Sequence, residues 1–156
     1  MIDALADIPT AGRFEGREHR LPVRVYYEDT DFTGLVYHGS YVRFFERGRT
    51  DALRTLGVGH ADLLEDDRPS AFVVSTMTLR FLKPARIDDA LTVATRFEAV
   101  KGPRLIIAQA IWRGGELLCE ADVVAVCIHL DGRPRRPGRA MVERLKPLLA
   151  DAAAGG

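Results

Sequence analysis

Residues 70–130 read SAFVVSTMTLRFLKPARIDDALTVATRFEAVKGPRLIIAQAIWRGGELLCEADVVAVCIHL, and the punctuation of this stretch decides the fold. Met77, Leu79 and Phe81 alternate with Thr76, Thr78 and Arg80, the period of two that a half-buried strand requires. Pro84 ends that run because it brings no N–H to a ladder. Leu91, Val93, Thr95 and Phe97 open a second strand, and Lys101, Gly102 and Pro103 turn it. Leu105 to Trp112 is apolar on both faces, as a central, covered strand must be, and Gly114–Gly115 turns the chain into another long apolar run, Glu116 to Leu130. Nothing in the stretch has the length and period of a crossover helix, so a parallel doubly wound sheet is excluded and the strands follow one another antiparallel.

Upstream, Tyr41, Phe44, Phe45, Gly48, Ala52, Leu53 and Leu56 recur at spacings of three and four, with Arg43, Glu46, Arg47, Arg49, Asp51 and Arg54 between them. That is an amphipathic helix stopped near Gly57, its aromatic stripe read as core packing against a sheet. Before it, Leu21, Val23, Val25 and Tyr27 alternate with Pro22, Arg24 and Tyr26 as another strand, followed by a loop from Glu28 to Gly34. Downstream of Asp131–Gly132 come Arg133, Arg135, Arg136 and Pro137, then a short amphipathic helix near Arg139 to Leu149. The class is therefore α+β, one antiparallel sheet wrapped on a single central helix. Residues 1–20 read as a flexible leader, 21–150 as a single domain and 151–156 as a fraying Ala/Gly tail.

Composition narrows what such a domain can do. Its 156 residues, 47% hydrophobic, suffice for a full core without disulfide or metal staples. Twenty-two basic residues balance 22 acidic ones, so no overall field favours nucleic acid or an anionic membrane, and an anionic ligand needs a local patch. No run approaches the ~20 apolar residues of a membrane span, and Met1 to Pro9 carries Asp3 and Asp7 where a signal peptide would need positive charge followed by an apolar run, so none is expected there. Cys119 and Cys127 lack any metal-ligand spacing and read as buried thiols of a reducing cytoplasm; no metal or other cofactor is expected.

The densest chemistry lies in residues 27–41, YEDTDFTGLVYHGSY, between strand and helix. A helix starting near Tyr37 to Gly39 leaves its first N–H groups unpaired at the positive end of its dipole, where they can hold an oxyanion. Asp31, just upstream, could present a carboxylate to the same volume. For an arbitrary loop, Asp29 and Asp31 would instead read as turn and capping residues. Glu46, among Arg43, Arg47 and Arg49, reads as part of a salt-bridged helix face, and His19, His60 and His129 as surface or core residues.

Residues 23–49, VRVYYEDTDFTGLVYHGSYVRFFERGR, resemble the signature of the hotdog-fold acyl-CoA thioesterases of the 4-hydroxybenzoyl-CoA thioesterase type, in particular the branch associated with the Tol-Pal cell-envelope system. Residues 71–89, AFVVSTMTLRFLKPARIDD, resemble the same branch. The resemblance implies a hotdog fold that hydrolyses an acyl-CoA to carboxylic acid and CoA. It places the catalytic carboxylate on Asp31, as nucleophile or general base, and the carbonyl-polarising backbone N–H on His38, whose side chain either assists or only lines the pocket. Gly34 takes the glycine place between carboxylate and helix, and Tyr37 and Tyr41, with Phe32 and Val36, are suited to an acyl chain. Arg104, with Lys83, Lys101, Arg133, Arg135 and Arg136, is a candidate for the CoA phosphates, and no Arg stands clearly placed for an acyl-end carboxylate. Assembly as a homodimer or homotetramer is implied, with an envelope or lipid-synthesis protein as a further partner. The competing readings are a hotdog dehydratase using a His and Glu46, and a non-catalytic acyl-binding or scaffold protein.

Overall fold

The structure, a computed structural model, describes residue 9 and residues 11–150. Six strands, β1 (Arg13–Glu15), β2 (Glu18–Arg24), β3 (Ser70–Phe81), β4 (Ala90–Lys101), β5 (Arg104–Arg113) and β6 (Glu116–His129), form one antiparallel sheet in the order β1-β2-β4-β5-β6-β3. The helices are α1 (His38–Thr55), α2 (His60–Glu65) and α3 (Arg139–Leu145), with single 3-10 turns at Tyr27–Asp29 and Lys146–Leu148. The four consecutive strands and the long helix stand where the residue pattern put them, and a sheet curled on one helix is the hotdog arrangement.

The core lies between α1 and the sheet's inner face. Phe44, Phe45, Ala52 and Leu53 of α1 pack against Val93, Phe97, Ile107, Ile111, Val123 and their neighbours. The approach is closest at Gly48, where a Cβ would stand 2.7 Å from Val93 Cγ1, 2.9 Å from Thr95 Oγ1 and 3.1 Å from Gln109 Nε2. Beneath it Gln109, polar yet buried on the central strand, donates from Nε2 to Phe45 O and Thr95 Oγ1, both 2.9 Å, and accepts from Arg49 at 3.0 Å, so this amide is fully employed. β5 is central, but only its inner face is buried: Ile106, Ala108, Ala110 and Trp112 keep partial exposure on the other.

Two expectations need correction. Residues 13–15 and 18–20 are sheet, because β1 pairs with β2 and β2 with β4. Charge hid them: Arg13, Glu15, Glu18 and Arg20 sit on faces exposed enough to carry charge, so no apolar period shows. Residues 1–8 and 10 of the expected leader, and the whole expected tail, 151–156, lie outside the described residues. The first expected strand runs from Glu18 to Arg24, and Tyr26 and Tyr27, 62% and 83% exposed, belong to the turn beyond it. His19 is a core residue with a charged neighbour: Nε2 lies 2.8 Å from Asp51 Oδ2 on α1, and Gly12 N–H donates to that oxygen at 2.7 Å. This clasp fastens the N-terminal hairpin to the helix. α2 went unread; Gly59 caps its start, and the Gly59 N–H donates to Asp62 Oδ2 at 3.2 Å. Cys119 and Cys127 are buried on β6, and burial pushes the Cys119 thiol up to about 12.

Candidate active site

After β2 the chain leaves the sheet in a fixed direction: Val25 N–H donates to Asp89 O at 3.0 Å and its carbonyl accepts Asp88 N–H at 2.9 Å. Asp29 is buried and holds the turn together. Its Oδ2 accepts Tyr26 N–H at 2.8 Å, and its carbonyl accepts both Tyr37 N–H and the Ser40 hydroxyl at 2.9 Å. The end of β2 is thereby tied to the start of α1, which is the capping role read for an ordinary loop Asp.

Asp31, two residues on, is exposed. Its Oδ1 accepts Thr33 N–H at 2.9 Å and the Thr33 hydroxyl, while Gly34 N–H closes the turn onto Asp31 O at 3.1 Å. Gly34 has φ +83°, a conformation that side chains strongly disfavour. The Thr33 hydroxyl, then its N–H, hold the Asp31 carboxyl below its ordinary range; slight burial opposes them, and nearby His38 adds a smaller pull downward. Asp31 is thus an ionised, accessible carboxylate with a fixed orientation. Thr33 was missed in the sequence, although Asp-x-Thr in a turn is itself the signal for such a bond.

α1 begins at His38. Tyr37 and Ser40 N–H are taken by Asp29 O and Tyr37 O, whereas His38 and Gly39 N–H meet no acceptor among the described residues. They stand at the positive end of an 18-residue helix. Tyr37 is half exposed and leans on the His38 ring, centroids 4.3 Å apart and planes tilted by 49°; Gly39 makes room for it, since a Cβ would come within 2.7 Å of the Tyr37 ring. Beside them a cleft of about 310 Å³ is lined by Leu35, Val36, His38, Tyr41, Phe81 and Pro84. Tyr41 contributes mostly a buried edge: its hydroxyl accepts Ala85 N–H at 3.1 Å and its ring meets Phe81 edge-on. The structure therefore gathers Asp31, Gly34, Tyr37, His38 and Tyr41 at one end of the sheet.

Arg104 does not join them. It opens β5, opposite Lys101 and Val126, at the far end of the sheet from Phe81. Glu46 also departs from its reading: it accepts the Thr50 hydroxyl at 2.7 Å, and no ion pair to it occurs among the described residues. Thr50 lies 3.1 Å from His60 Nε2, and this polar chain edges a second cavity of about 160 Å³ walled by Leu53, Phe72, Phe97, Leu105 and Ile107. Arg49 lies in its wall, an arginine that the sequence did not single out for this position. Among the described residues no cluster of three or more His, Cys, Asp or Glu side chains forms a metal site, and no helix is long and apolar enough to cross a membrane.

Residues 33–120 match the family model described as Thioesterase superfamily, a span that begins two residues after Asp31. The chain is 45% identical over 109 residues to the acyl-CoA thioesterase YbgC of Haemophilus influenzae, covering 70% of this chain and 79% of that protein. It is 43% identical over 129 residues to the acyl-CoA thioester hydrolase YbgC of Escherichia coli, covering 81% and 95%. Among solved structures, a probable thioesterase from Bartonella henselae superposes with TM-score 0.76 at 40% identity, over 78% of this chain and 99% of that one. A sheet wrapped on one helix, a polar loop feeding that helix's N-terminus and a match across most of both elements carry one conclusion: the chain belongs to the hotdog-fold thioesterase superfamily.

Proposed function

We propose that this protein hydrolyses acyl-CoA thioesters to a carboxylic acid and CoA, with Asp31 as nucleophile or general base and the His38 amide as the oxyanion donor. The observation that carries this is the juxtaposition of an ionised, Thr33-held carboxylate with unpaired amides at the start of α1, in a chain 45% identical to a protein named as an acyl-CoA thioesterase. Asp31 either adds to the thioester carbonyl or takes a proton from the water that does so. The resulting oxyanion rests on the His38 amide, collapse breaks the C–S bond, and the CoA thiolate leaves with a proton from solvent or the His38 imidazole; where Asp31 itself adds, water then hydrolyses the acyl-aspartyl anhydride to the free acid and restores the carboxylate. Gly34 permits the turn, Tyr37 and Tyr41 with Val36 shape the acyl entrance, and no step calls for a cofactor.

The working unit in this reading is a dimer. β3 is the free edge of the sheet, and Val73 and Val74 are each 46% exposed on it. A second copy pairing antiparallel there sets its Ser70 end beside the Phe81 end of the first. The apolar cavity behind Phe72 then faces the Asp31 cleft of the other chain and accepts its acyl group, and Arg104 of the partner subunit approaches the cleft as a CoA phosphate ligand. The free, buried thiols fit a reducing compartment, so we place the enzyme in the cytoplasm, working beside the Tol-Pal envelope system as its resemblance implies.

Release of free CoA from a panel of acyl-CoAs, from short to long chains, tests the reading. Chain-dependent release is expected. Binding without release would favour a scaffold, and loss of water from a hydroxyacyl thioester would favour a dehydratase; either result overturns hydrolysis.

A further inference from the structure

Three separate pieces of chain meet at Ala85, beside the cleft. The strap that joins β3 to β4, residues 82–89, is bonded to the sheet along its length. Leu82 and Lys83 N–H donate to Leu118 O at 2.8 and 3.1 Å, and Arg113 donates to Pro84 O at 3.2 Å and to Asp89 Oδ2 at 2.8 Å. That carboxylate also accepts Arg86 N–H at 2.9 Å. With its backbone groups held in this way, the strap is a fixed ledge.

On one side the Ala85 carbonyl accepts Val36 N–H at 2.9 Å, and Leu35 pairs with Arg86 in a single antiparallel bridge. Leu35 O in turn accepts Asp31 N–H at 3.0 Å, and Thr30 bridges to Val36, so the turn that carries the carboxylate hangs from Ala85. On the other side Ala85 N–H donates to the Tyr41 hydroxyl at 3.1 Å. Tyr41 lies three residues into α1 from His38, in the same rigid first turn as the His38 amide. Asp29 already joins the loop to the helix at its near end. Ala85 is a second point of attachment, and two points fix a direction where one leaves a pivot. Val36, Tyr41 and Ala85 are all buried, so a backbone group that loses its partner here finds no water to replace it. Burial also pushes the Tyr41 hydroxyl above its ordinary pKa, against the opposing pull of the Ala85 N–H, so it is a neutral acceptor wherever Asp31 titrates.

We infer that Tyr41 is a positioning residue: its hydroxyl, acting through the Ala85 backbone, holds the Asp31 carboxylate in register with the His38 amide. This rests on the hydrolase reading above and gives the oxygen of Tyr41 a task separate from that of its ring, which walls the cleft. The two tasks part in Tyr41→Phe, which keeps the ring and removes the acceptor. The Ala85 N–H is then buried and unpaired, the strap shifts to relieve it, and Val36 and Leu35 carry the shift to Asp31. A displacement of about 1 Å at the reacting groups costs on the order of 10²-fold in rate.

The test is steady-state CoA release from one acyl-CoA by wild type, Tyr41→Phe, Asp31→Asn and the double variant. Tyr41→Phe should lower kcat roughly 10- to 100-fold at nearly constant KM. The acid limb of its rate profile should stay in place, because Thr33 still holds the carboxylate. In the Asp31→Asn background the same substitution should change kcat by less than about two-fold, since no carboxylate remains to be misplaced. A rise in KM at constant kcat would make Tyr41 an acyl contact only, and equal factors in both backgrounds would make it a structural residue; either overturns the inference. Wild-type rates in Asp31→Asn would instead strike the hydrolase assignment, and the inference with it. Hydrogen exchange followed amide by amide reads the tether in wild type, without need of a variant that folds. The Val36 and Ala85 amides should be protected and open together, and Tyr41→Phe should release both. Fast exchange at either amide in wild type overturns the tether.

Discussion

Two aspartates two residues apart have opposite surroundings, and this governs what each substitution does. Asp31 touches only Thr33 through its side chain and is exposed, so Asp31→Asn should leave the fold intact and lower CoA release by roughly 10²- to 10⁴-fold. Asp29 is buried and receives Tyr26 N–H, so Asp29→Ala should cost about 1–3 kcal/mol in urea denaturation. Activity should fall as acid titrates Asp31, at a pH below the carboxyl's ordinary value of 3.8, because the Thr33 bonds favour the charged form. Thr33→Val removes the larger of those bonds and should move the acid limb of the rate profile upward; an unmoved limb would mean that Asp31 is not the group that titrates. Asp31, Gly34 and His38 could be named from order in the sequence, whereas Thr33 could not, since its contribution is a bond and not a motif. Arg104 was named by residue type alone, and the register of β5 puts it at the other end of the sheet.

At the scale of elements, alternation of apolar residues marked β3 and β4 and unbroken apolar runs marked β5 and β6; β4, β5 and β6 each bury one face in the core. Such patterning failed for β1 and for the first residues of β2, where charged side chains mask the period, and for α2, too short to show one. What no pattern reveals is how near α1 comes to the sheet. Gly48 sets that distance, so Gly48→Ala should push a methyl into Val93, Thr95 and Gln109 and destabilise by about 1–3 kcal/mol, read as a lower urea midpoint. The His19–Asp51 clasp makes a second prediction. Burial lowers the His19 pKa from 6.5 more strongly than Asp51 raises it. The unfolded chain then takes up the proton first, and this part of the stability, complete above pH 6.5, is lost as pH falls through the lowered value. Urea midpoints in wild type should fall more steeply between pH 7 and 5 than in His19→Gln, which has no such proton to gain.

The whole molecule carries no net charge, yet its substrate carries several negative ones on the nucleotide. Local cations must meet them, and salt screens exposed pairs while sparing apolar contacts. KM for acyl-CoA should therefore rise with ionic strength at nearly constant kcat, and a pantetheine thioester, lacking the nucleotide, should show a higher and flatter KM. Equal salt dependence for the two substrates would remove the basic-patch reading. The cysteines allow a different kind of observation. Cys119 pairs across from Phe81 and Cys127 across from Phe72, so the two thiols mark the two ends of β6, each buried and each with its pKa raised by that burial. A thiol in that condition is inert until the strand around it opens. Alkylation followed residue by residue would then time openings at the Phe81 end of the sheet and at the Phe72 end separately, using two stopwatches the chain already contains.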